Sequence, residues 1–366
     1  MGRKVIRPVN NKTVREVVDG FQKLRSDRES RVREFAEGRR SFLVYQTPGG
    51  DVWGDVRTPE ESFSANIGFI HKSLDVKSDH IPVMEPWFGT GIYANIFGCK
   101  YLWKDNTAPH VHYRYEKLDE IKGMAAPEWE DSEMANLVLD AIRYFKSRTG
   151  DDLPVIWTDT QSASDTATLI LNPTEVLVGC MMEPGAVMEY FKLVNDMIIK
   201  FSRVQSELIG DALLEPGHIM LSSSHLRGMS ISDDNLALGS PEVNRDFNMP
   251  MNDEIGRAMN GVAIHSCGVW AHSMHLVKEH CPSCVAIDCA VDNSADPNPN
   301  DPEKVRDAMA GTGITVHVRF TGETGKMAEV VRKLKHPGVR YVFHPSYVDI
   351  ETAEKNYDVI TGIMKP

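Results

Sequence analysis

The chain reads Gly261-Val-Ala-Ile-His-Ser-Cys-Gly268 in its second half, where a short apolar run delivers a histidine and a cysteine onto a glycine. Residues 262–264 have the length and composition of a buried strand, and residues 270–279 predict the helix that follows it. Because side chains alternate along a strand, His265 and Cys267 point to the same side. An imidazole and a thiolate that converge are typical zinc ligands. The alternative is a satisfied core histidine beside a small buried cysteine.

The composition is that of an ordinary globular protein. The 366 residues are 42% hydrophobic and 25% charged, which is enough material for one eightfold barrel with additions. The 52 acidic and 40 basic side chains give a formal charge of −12, which argues against a nucleic-acid-binding surface. No apolar run approaches the roughly 20 residues of a membrane helix, and the basic start lacks the apolar segment of a signal peptide. We therefore expect a cytoplasmic protein that binds neither membranes nor nucleic acid.

Strand-like apolar runs alternate with helical stretches along the chain. Residues 1–40 predict an N-terminal helical extension and residues 41–366 the main domain, with an irregular insertion or hairpin at 101–121 after the second strand. The predicted strands are residues 42–45, 81–85, 153–159, 229–232, 262–264, 284–289, 314–320 and 339–344. Since no dinucleotide-binding fingerprint occurs, the predicted fold is α/β, a single (β/α)₈ TIM barrel with N-terminal helices.

In such barrels the reactive groups gather at the carboxyl ends of the strands. The polar side chains at these ends are Gln46, Glu85, Asp159, Asp233, Asp234, His265, Cys267, Asp288, Cys289, Arg319 and His344. A catalytic zinc needs about three protein ligands and an open position, so Cys289 and His344 are candidates for further ligands. Zinc held through a thiolate can carry a substrate thiol as thiolate near neutral pH, and the fitting reaction is alkyl transfer to sulfur.

Two further features suit ligand binding. Asp233 and Asp234 are adjacent, so in an extended chain at most one faces a pocket at the barrel mouth, where it could handle protons or bind cationic nitrogens. The alternative is a solvated loop pair. Trp87 and Phe88 lie in the loop over residues 86–98, whose glycine and aromatic content favours a planar or apolar ligand over a phosphate.

Cys281-Pro-Ser-Cys284 has the spacing of a redox pair or of half a structural zinc site. No second CxxC occurs, and six cysteines in so long a chain do not make a disulfide framework. Plain loop cysteines are the favoured interpretation, and the other two stay open.

Several segments resemble the uroporphyrinogen decarboxylase superfamily, which includes corrinoid-dependent, zinc-containing methyltransferases. These segments are Glu85-Pro-Trp-Phe-Gly, Phe97-Gly-Cys99, Thr158-Asp159 with Asp165, Ser232-Asp-Asp-Asn with Ser240-Pro-Glu and Met249-Pro250, and Ile264-His-Ser-Cys-Gly268. The resemblance implies a (β/α)₈ barrel and is closer to the methyltransferase branch. True decarboxylases begin with an arginine-rich loop of the form RxxPVWxMRQAGR, where this chain reads Tyr45-Gln-Thr-Pro-Gly-Gly-Asp51. A substrate with eight carboxylates would need those arginines.

The HxCG element, which the decarboxylases lack, implies that His265 and Cys267 are zinc ligands. The methyltransferase branch places another cysteine after the last strand, where this chain has His344, which would replace it. Cys289 follows Cys267 by 22 residues (289 − 267), similar to the spacing at which cobalamin-independent methionine synthases place a glutamate ligand.

The resemblance thus predicts a zinc-dependent methyltransferase that moves a methyl group between a corrinoid or methylated donor and a thiol. The expected metal ligands are His265, Cys267, Cys289 and His344; the expected catalytic residues are Asp159, Asp233 and Asp234; and the expected substrate-binding residues are Tyr45, Glu85, Trp87, Phe88 and Arg319. The expected cofactors are zinc and a corrinoid, and the expected partners are a small-molecule substrate, a corrinoid protein and a second copy of the chain. The alternatives are a metal-free lyase acting on a tetrapyrrole carboxylate and a non-catalytic corrinoid or tetrapyrrole binder.

Overall fold

The computed structural model of the protein describes residues 3–48, 53–105, 107–320 and 323–365. The strands are β1 (Phe42–Val44), β2 (Thr47–Pro48), β3 (Tyr101–Leu102), β4 (His110–Val111), β5 (Met229–Ser232), β6 (Val262–His265), β7 (Cys284–Ala290), β8 (Thr315–Phe320) and β9 (Arg340–Tyr347). The main sheet is parallel and runs in the order β1, β9, β8, β7, β6, β5, with β2 also paired to β9. Six of the eight predicted strands are therefore confirmed.

The other two predicted strands form only isolated parallel bridges. Met84 pairs with Val155, Val155 pairs with Leu213, and Gln161 pairs with Ser232 at the end of β5. Pro82 and Pro154 interrupt these segments, and a proline has no N–H to donate to a neighbouring strand. With these segments the sheet is an eight-strand-like parallel arrangement, compatible with a TIM-barrel-like fold.

The helices surround this sheet. They are α1 (Asn11–Ala36), α2 (Pro59–Ser73), α3 (Ile92–Ile96), α4 (Glu133–Thr149), α5 (Ala163–Ile170), α6 (Pro173–Met182), α7 (Pro184–Ile209), α8 (Asn235–Leu238), α9 (Pro241–Val243), α10 (Met249–Ala258), α11 (Val277–His280), α12 (Pro302–Met309), α13 (Thr324–Leu334) and α14 (Ile350–Met364). A new helix begins at Pro184, where a proline in the first turn loses no hydrogen bond. A π-helical turn, Asn244–Asn248, joins α9 to α10. None of the helices in the described ranges combines the length and the apolar character that a membrane span requires.

The helix predicted over residues 270–279 is wrong for its first half. The chain forms only a 3-10 turn at Met274–Leu276 and then α11. The backbone N–H groups of Trp270 and Ala271 donate to the side-chain oxygen of Asn300, at 2.8 and 2.9 Å. A distant side chain thus satisfies these two N–H groups, and the fully buried indole of Trp270 anchors the loop.

The N-terminal helix α1 is one continuous helix. Its apolar face, which includes Val17, Phe21 and Phe35, is buried in the same hydrophobic core as the strands. Arg28 on this helix is also buried and donates to the backbone carbonyls of His80 and Val76, at 2.5 and 2.8 Å. The division of the chain at residue 40 stays a prediction. The insertion after the second predicted strand contains the short antiparallel pair β3–β4, as the alternating pattern indicates.

Candidate metal centre

Three side chains bring ligand atoms together where β5 and β6 end. One ligand atom each from Asp234, His265 and Cys267 lies within 4.8 Å of the others. His265 is the last residue of β6, and Asp234 follows the neighbouring strand β5. The backbone N–H of Cys267 donates to Asp234 Oδ1 at 2.6 Å, which fixes the two side chains beside each other. Asp234 is exposed, Cys267 is partly buried and His265 is buried, so the group opens to solvent on one side.

His265 is oriented by both of its ring nitrogens. Nδ1 lies 2.5 Å from Asp288 Oδ1, and Nε2 lies 3.4 Å from Cys267 Sγ. Burial lowers the pKa of His265, but the hydrogen bonds to Asp288 and Cys267 raise it to about 10. Nδ1 therefore faces the Asp288 carboxylate and Nε2 faces the Cys267 sulfur. A carboxylate that holds one nitrogen of a metal-binding histidine is a frequent arrangement, since it fixes the tautomer and the ring.

Asp288 is the functional residue that the sequence interpretation left out of the site. It is fully buried on β7, as the register partner of His265, and also accepts from Arg319 Nε at 2.8 Å. Burial raises the pKa of Asp288, but Arg319 and His265 outweigh burial and hold it well below its usual range. The sequence does contain a signal for Asp288. Val262-Ala-Ile-His265 and Val285-Ala-Ile-Asp288 share the same apolar strand pattern, and each ends in a polar residue. Arg319, predicted to bind substrate, is thus placed as the partner of this carboxylate.

The two adjacent aspartates diverge, although the backbone at Asp234 is helical (φ −71°, ψ −19°) and not extended as predicted. Asp234 joins the group of three, whereas Asp233 is buried and accepts from Asn252 Nδ2 at 2.6 Å. Burial raises the pKa of Asp233 to about 6. A third carboxylate, that of Asp165, accepts from the backbone N–H groups of Asp234 and Asn235, at 2.7 and 2.9 Å. Asp165 therefore fixes the loop that presents Asp234.

A second cluster of charged side chains lines a cavity of about 470 Å³. His218 Nδ1 lies 2.7 Å from Glu85 Oε1, and His218 Nε2 lies 3.6 Å from Asp159 Oδ2. Trp87 also lines the cavity and donates its indole N–H to Asp159 Oδ2 at 3.0 Å. Ser232 connects this cluster to the candidate metal centre. Its hydroxyl lies 3.4 Å from Asp159 Oδ1, and Ser232 is the register partner of His265 in the sheet. The predicted residues Glu85, Trp87 and Asp159 thus meet in one place, with His218 as an unforeseen member.

His218 gives the protein a pH-dependent contribution to stability. Burial lowers the pKa of His218, but Asp159 and Glu85 raise it to about 9, above the unfolded value of about 6.5. A group with a raised folded pKa stabilises the protein below its unfolded pKa, and this stabilisation is lost as pH rises through the folded pKa. We expect the stability advantage of the wild type over His218→Gln, measured by urea unfolding, to shrink by about 1–3 kcal/mol between about pH 6 and pH 10. An advantage independent of pH would contradict this assignment.

His344 and Cys289, the two further predicted ligands, lie outside the group of three. His344 lines the cavity, stacks on Tyr45 with ring centroids 4.1 Å apart and lies with Nε2 2.9 Å from Thr47 Oγ1. Burial lowers the pKa of His344 to about 3, so the imidazole is neutral. Cys289 follows Asp288 on β7, faces the opposite side of the strand and is fully buried in the apolar core. Burial raises the pKa of the Cys289 thiol, which disfavours the thiolate that a metal needs.

The two predicted aromatic residues of the loop over residues 86–98, Trp87 and Phe88, lie in different places. Phe88 is fully buried in the core, and its backbone carbonyl accepts from the hydroxyl of Tyr101, so the structure places this predicted ligand-binding residue away from the cavity. Tyr45 is buried and lines the cavity, as does the partly buried Trp87. Part of the segment Tyr45–Asp51, which stands where the decarboxylases have their arginine-rich loop, lies outside the described residues, since residues 49–52 are not described.

Gly268 supports the turn that carries Cys267. Its φ is +73°, and an added Cβ would lie 3.2 Å from the Cβ of Ala237. Gly311 has nearly the same φ, +75°, with nothing within 4 Å of an added Cβ. We expect Gly268→Ala and Gly311→Ala each to lower the free energy of unfolding by about 1–2 kcal/mol, because an L-residue is strained in this region. Only Gly268→Ala should also weaken zinc binding, measured by competition with a chromogenic chelator; equal zinc affinity in both variants would show that the turn does not position Cys267.

Comparisons with known proteins support the fold. No protein-family model matches the chain, and no curated protein sequence matches it. Among solved structures, a methyltransferase from Methanosarcina mazei is similar, with a TM-score of 0.67 and 14% sequence identity. The match covers 92% of this chain and 99% of that chain. At this identity the likeness concerns the fold alone.

Proposed function

We propose that this protein is a zinc-dependent methyltransferase that moves a methyl group between a corrinoid or methylated donor and a thiol, on a closed (β/α)₈ barrel. The observation that carries the proposal is the group of Asp234, His265 and Cys267, within 4.8 Å of one another. The fold shared with a methyltransferase and the resemblance of the HxCG element to the zinc-containing branch support it.

The residues present fit a catalytic zinc ion. One nitrogen, one sulfur and one carboxylate oxygen converge, and three protein ligands with an open fourth position are typical of catalytic zinc sites. Asp288 holds Nδ1 of His265, so Nε2 is the nitrogen left to face the metal, on the side of Cys267 Sγ. When bound, the ion would lower the pKa of a thiol in the open position and so supply a thiolate near neutral pH.

The cavity beside this group supplies the other half of the proposed site. Its lining combines the aromatic rings of Tyr45 and Trp87 with the carboxylates of Glu85 and Asp159, which suits a methylated donor with an apolar part and a basic atom. His218 carries a proton between Glu85 and Asp159 at neutral pH, because its pKa is about 9. In our proposal a methylated amine receives this proton on the nitrogen that loses the methyl group and leaves as a neutral amine, whereas a corrinoid donor keeps the electron pair of the broken bond on cobalt and needs no proton; Asp159 orients the imidazolium. The corrinoid, a corrinoid protein partner and a homodimer remain parts of this proposal.

A methyl-transfer assay tests the proposal. The purified protein, loaded with zinc, is incubated with methylcobalamin or methylated amines as donor and a small thiol as acceptor, and the thioether product is measured. We expect turnover that falls by at least about 100-fold in Cys267→Ala. Glu189, an exposed carboxylate on α7 outside the site, offers a matched control in Glu189→Gln, which should keep full activity. Turnover of uroporphyrinogen that survives His265→Ala, with no thioether formed, would replace the proposal by the metal-free lyase.

A further inference from the structure

A second cavity, of about 480 Å³, lies at the opposite end of the sheet from Cys267. Its walls include the first residues of three neighbouring strands, Cys284 of β7, Thr315 of β8 and Arg340 of β9. The end of α1, at Phe35 and Ala36, closes one side. The metal centre lies where the strands end, so this cavity is separate from the site described above. Its volume is in the range of small-molecule sites.

Three permanent cations line this cavity, in a chain whose net charge is −12. They are Arg227, Lys278 and Arg340. Within the described ranges, Arg340 donates to two backbone carbonyls, those of Phe35 and Gly313, at 3.2 and 3.3 Å. Among the described residues, no carboxylate oxygen lies within 4.0 Å of the charged nitrogens of these three side chains, and no carboxylate lines the cavity. The lining therefore carries three cations that form no ion pair with a described carboxylate.

Two carboxylates lie near the rim but are engaged elsewhere. Glu29 accepts from the hydroxyl of Ser223 at 2.5 Å and lies 3.9 Å from His225 Nε2. Glu215 accepts from the backbone N–H of Gly228 at 2.7 Å; burial raises the pKa of Glu215, whereas this hydrogen bond and the charge of Arg227 lower it. Neither of them lies within ion-pair distance (4.0 Å) of Arg227, Lys278 or Arg340.

One residue that lines the cavity carries an unpartnered polar atom. His317 is 2% exposed, and its Nδ1 has no hydrogen-bond partner among the described residues. Burial lowers the pKa of His317 to about 4, so the ring is neutral and offers a hydrogen bond without adding charge. Leu221 and Val342 line the cavity beside it. A buried polar group without a partner is unusual in a folded protein and is expected where a ligand supplies the missing bond.

We propose that this cavity binds a small organic anion. Its phosphate or carboxylate lies against Arg227, Lys278 and Arg340, its apolar body lies against Leu221 and Val342, and one of its polar atoms bonds to His317. The cations Arg227, Lys278 and Arg340 would attract the negative charge of the ligand. An inorganic ion alone would leave the apolar part of the cavity, at Leu221 and Val342, unfilled. The inference does not depend on the metal centre.

Calorimetric titration of the full chain with phenyl phosphate tests this inference, with inorganic phosphate and benzyl alcohol as comparison probes. We expect saturable binding of phenyl phosphate that is tighter than that of either comparison probe. In the double variant Arg227→Gln/Lys278→Gln the affinity should fall by at least about tenfold, since charge-assisted contacts to the anion are lost. Both side chains are exposed, so these substitutions leave the core intact.

Lys23→Gln/Arg332→Gln is the matched control, because it removes the same charge from exposed positions outside the cavity. It should bind phenyl phosphate as the wild type does. Three results would overturn the inference: no saturable binding of phenyl phosphate, equal binding in the two double variants, or inorganic phosphate binding as tightly as phenyl phosphate.

Discussion

Replacing Cys267 by serine is expected to lower the zinc content of the purified protein from about one ion per chain to nearly none. Cys267 offers the only sulfur in the group with Asp234 and His265, and a serine hydroxyl stays protonated at neutral pH and is a poor zinc ligand. The loss in affinity should exceed the 10–100-fold that is typical for the loss of a group that only supports a ligand. Metal analysis after purification without chelators, followed by zinc titration of the stripped protein, measures both quantities.

Cys289→Ala is the matched control for this experiment. Cys289 lies in the apolar core on the face of β7 opposite to Asp288, so its loss should cost about 1 kcal/mol of stability and leave the zinc content unchanged. His344→Gln tests the remaining predicted ligand in the same way. If zinc is lost in Cys289→Ala or His344→Gln and retained in Cys267→Ser, the metal lies elsewhere and the proposed function fails with it.

The fold was predictable where each strand carries its own signal. The runs at β5 to β9 are apolar, of strand length and separated by helical stretches, so local pattern suffices to place them. The segments around Met84 and Val155 have the same apolar character, but prolines reduce their pairing to single bridges. The helix predicted to begin at Trp270 was wrong for a different reason. The backbone N–H of Trp270 bonds to Asn300, 30 residues away along the chain. Local periodicity does not report such tertiary contacts.

The candidate site was predictable only where the local sequence pattern places its residues. His265 and Cys267 follow from the two-residue period of a strand. Asp234 was predicted at the end of the strand before, but as a catalytic residue and not as a metal ligand. Choosing between Asp233 and Asp234 needed the side-chain contacts, because the pattern only states that they diverge. His218 had no signal, since it lies before β5 next to Ile219, whose φ is +57°, and no periodic element places it. Its meeting with Glu85, 133 residues away, exists only in the folded chain.

Replacing Asp288 by asparagine is expected to have the second large effect, on both stability and zinc affinity. The carboxylate is fully buried and accepts from His265 Nδ1 and from Arg319 Nε, whose side chain is 14% exposed. Asparagine is nearly the same size but neutral, so the guanidinium is left in the interior without its counter-charge. Loss of one partner of a buried ion pair costs about 3–5 kcal/mol. The fixed orientation of His265 is lost as well, and zinc affinity should fall by about 10–100-fold.

These two effects separate in the right experiment. Chemical unfolding of the stripped protein measures the cost of the broken ion pair without the stabilisation that bound zinc adds. Zinc titration under native conditions then measures the loss of histidine orientation. Asp253→Asn is the control, because Asp253 is also a buried carboxylate, but it accepts from the backbone N–H of Ser283, which precedes β7, and pairs with Arg257. It should lose stability and keep wild-type zinc affinity, and an Asp288→Asn variant that behaves in the same way would show that Asp288 has a structural role only.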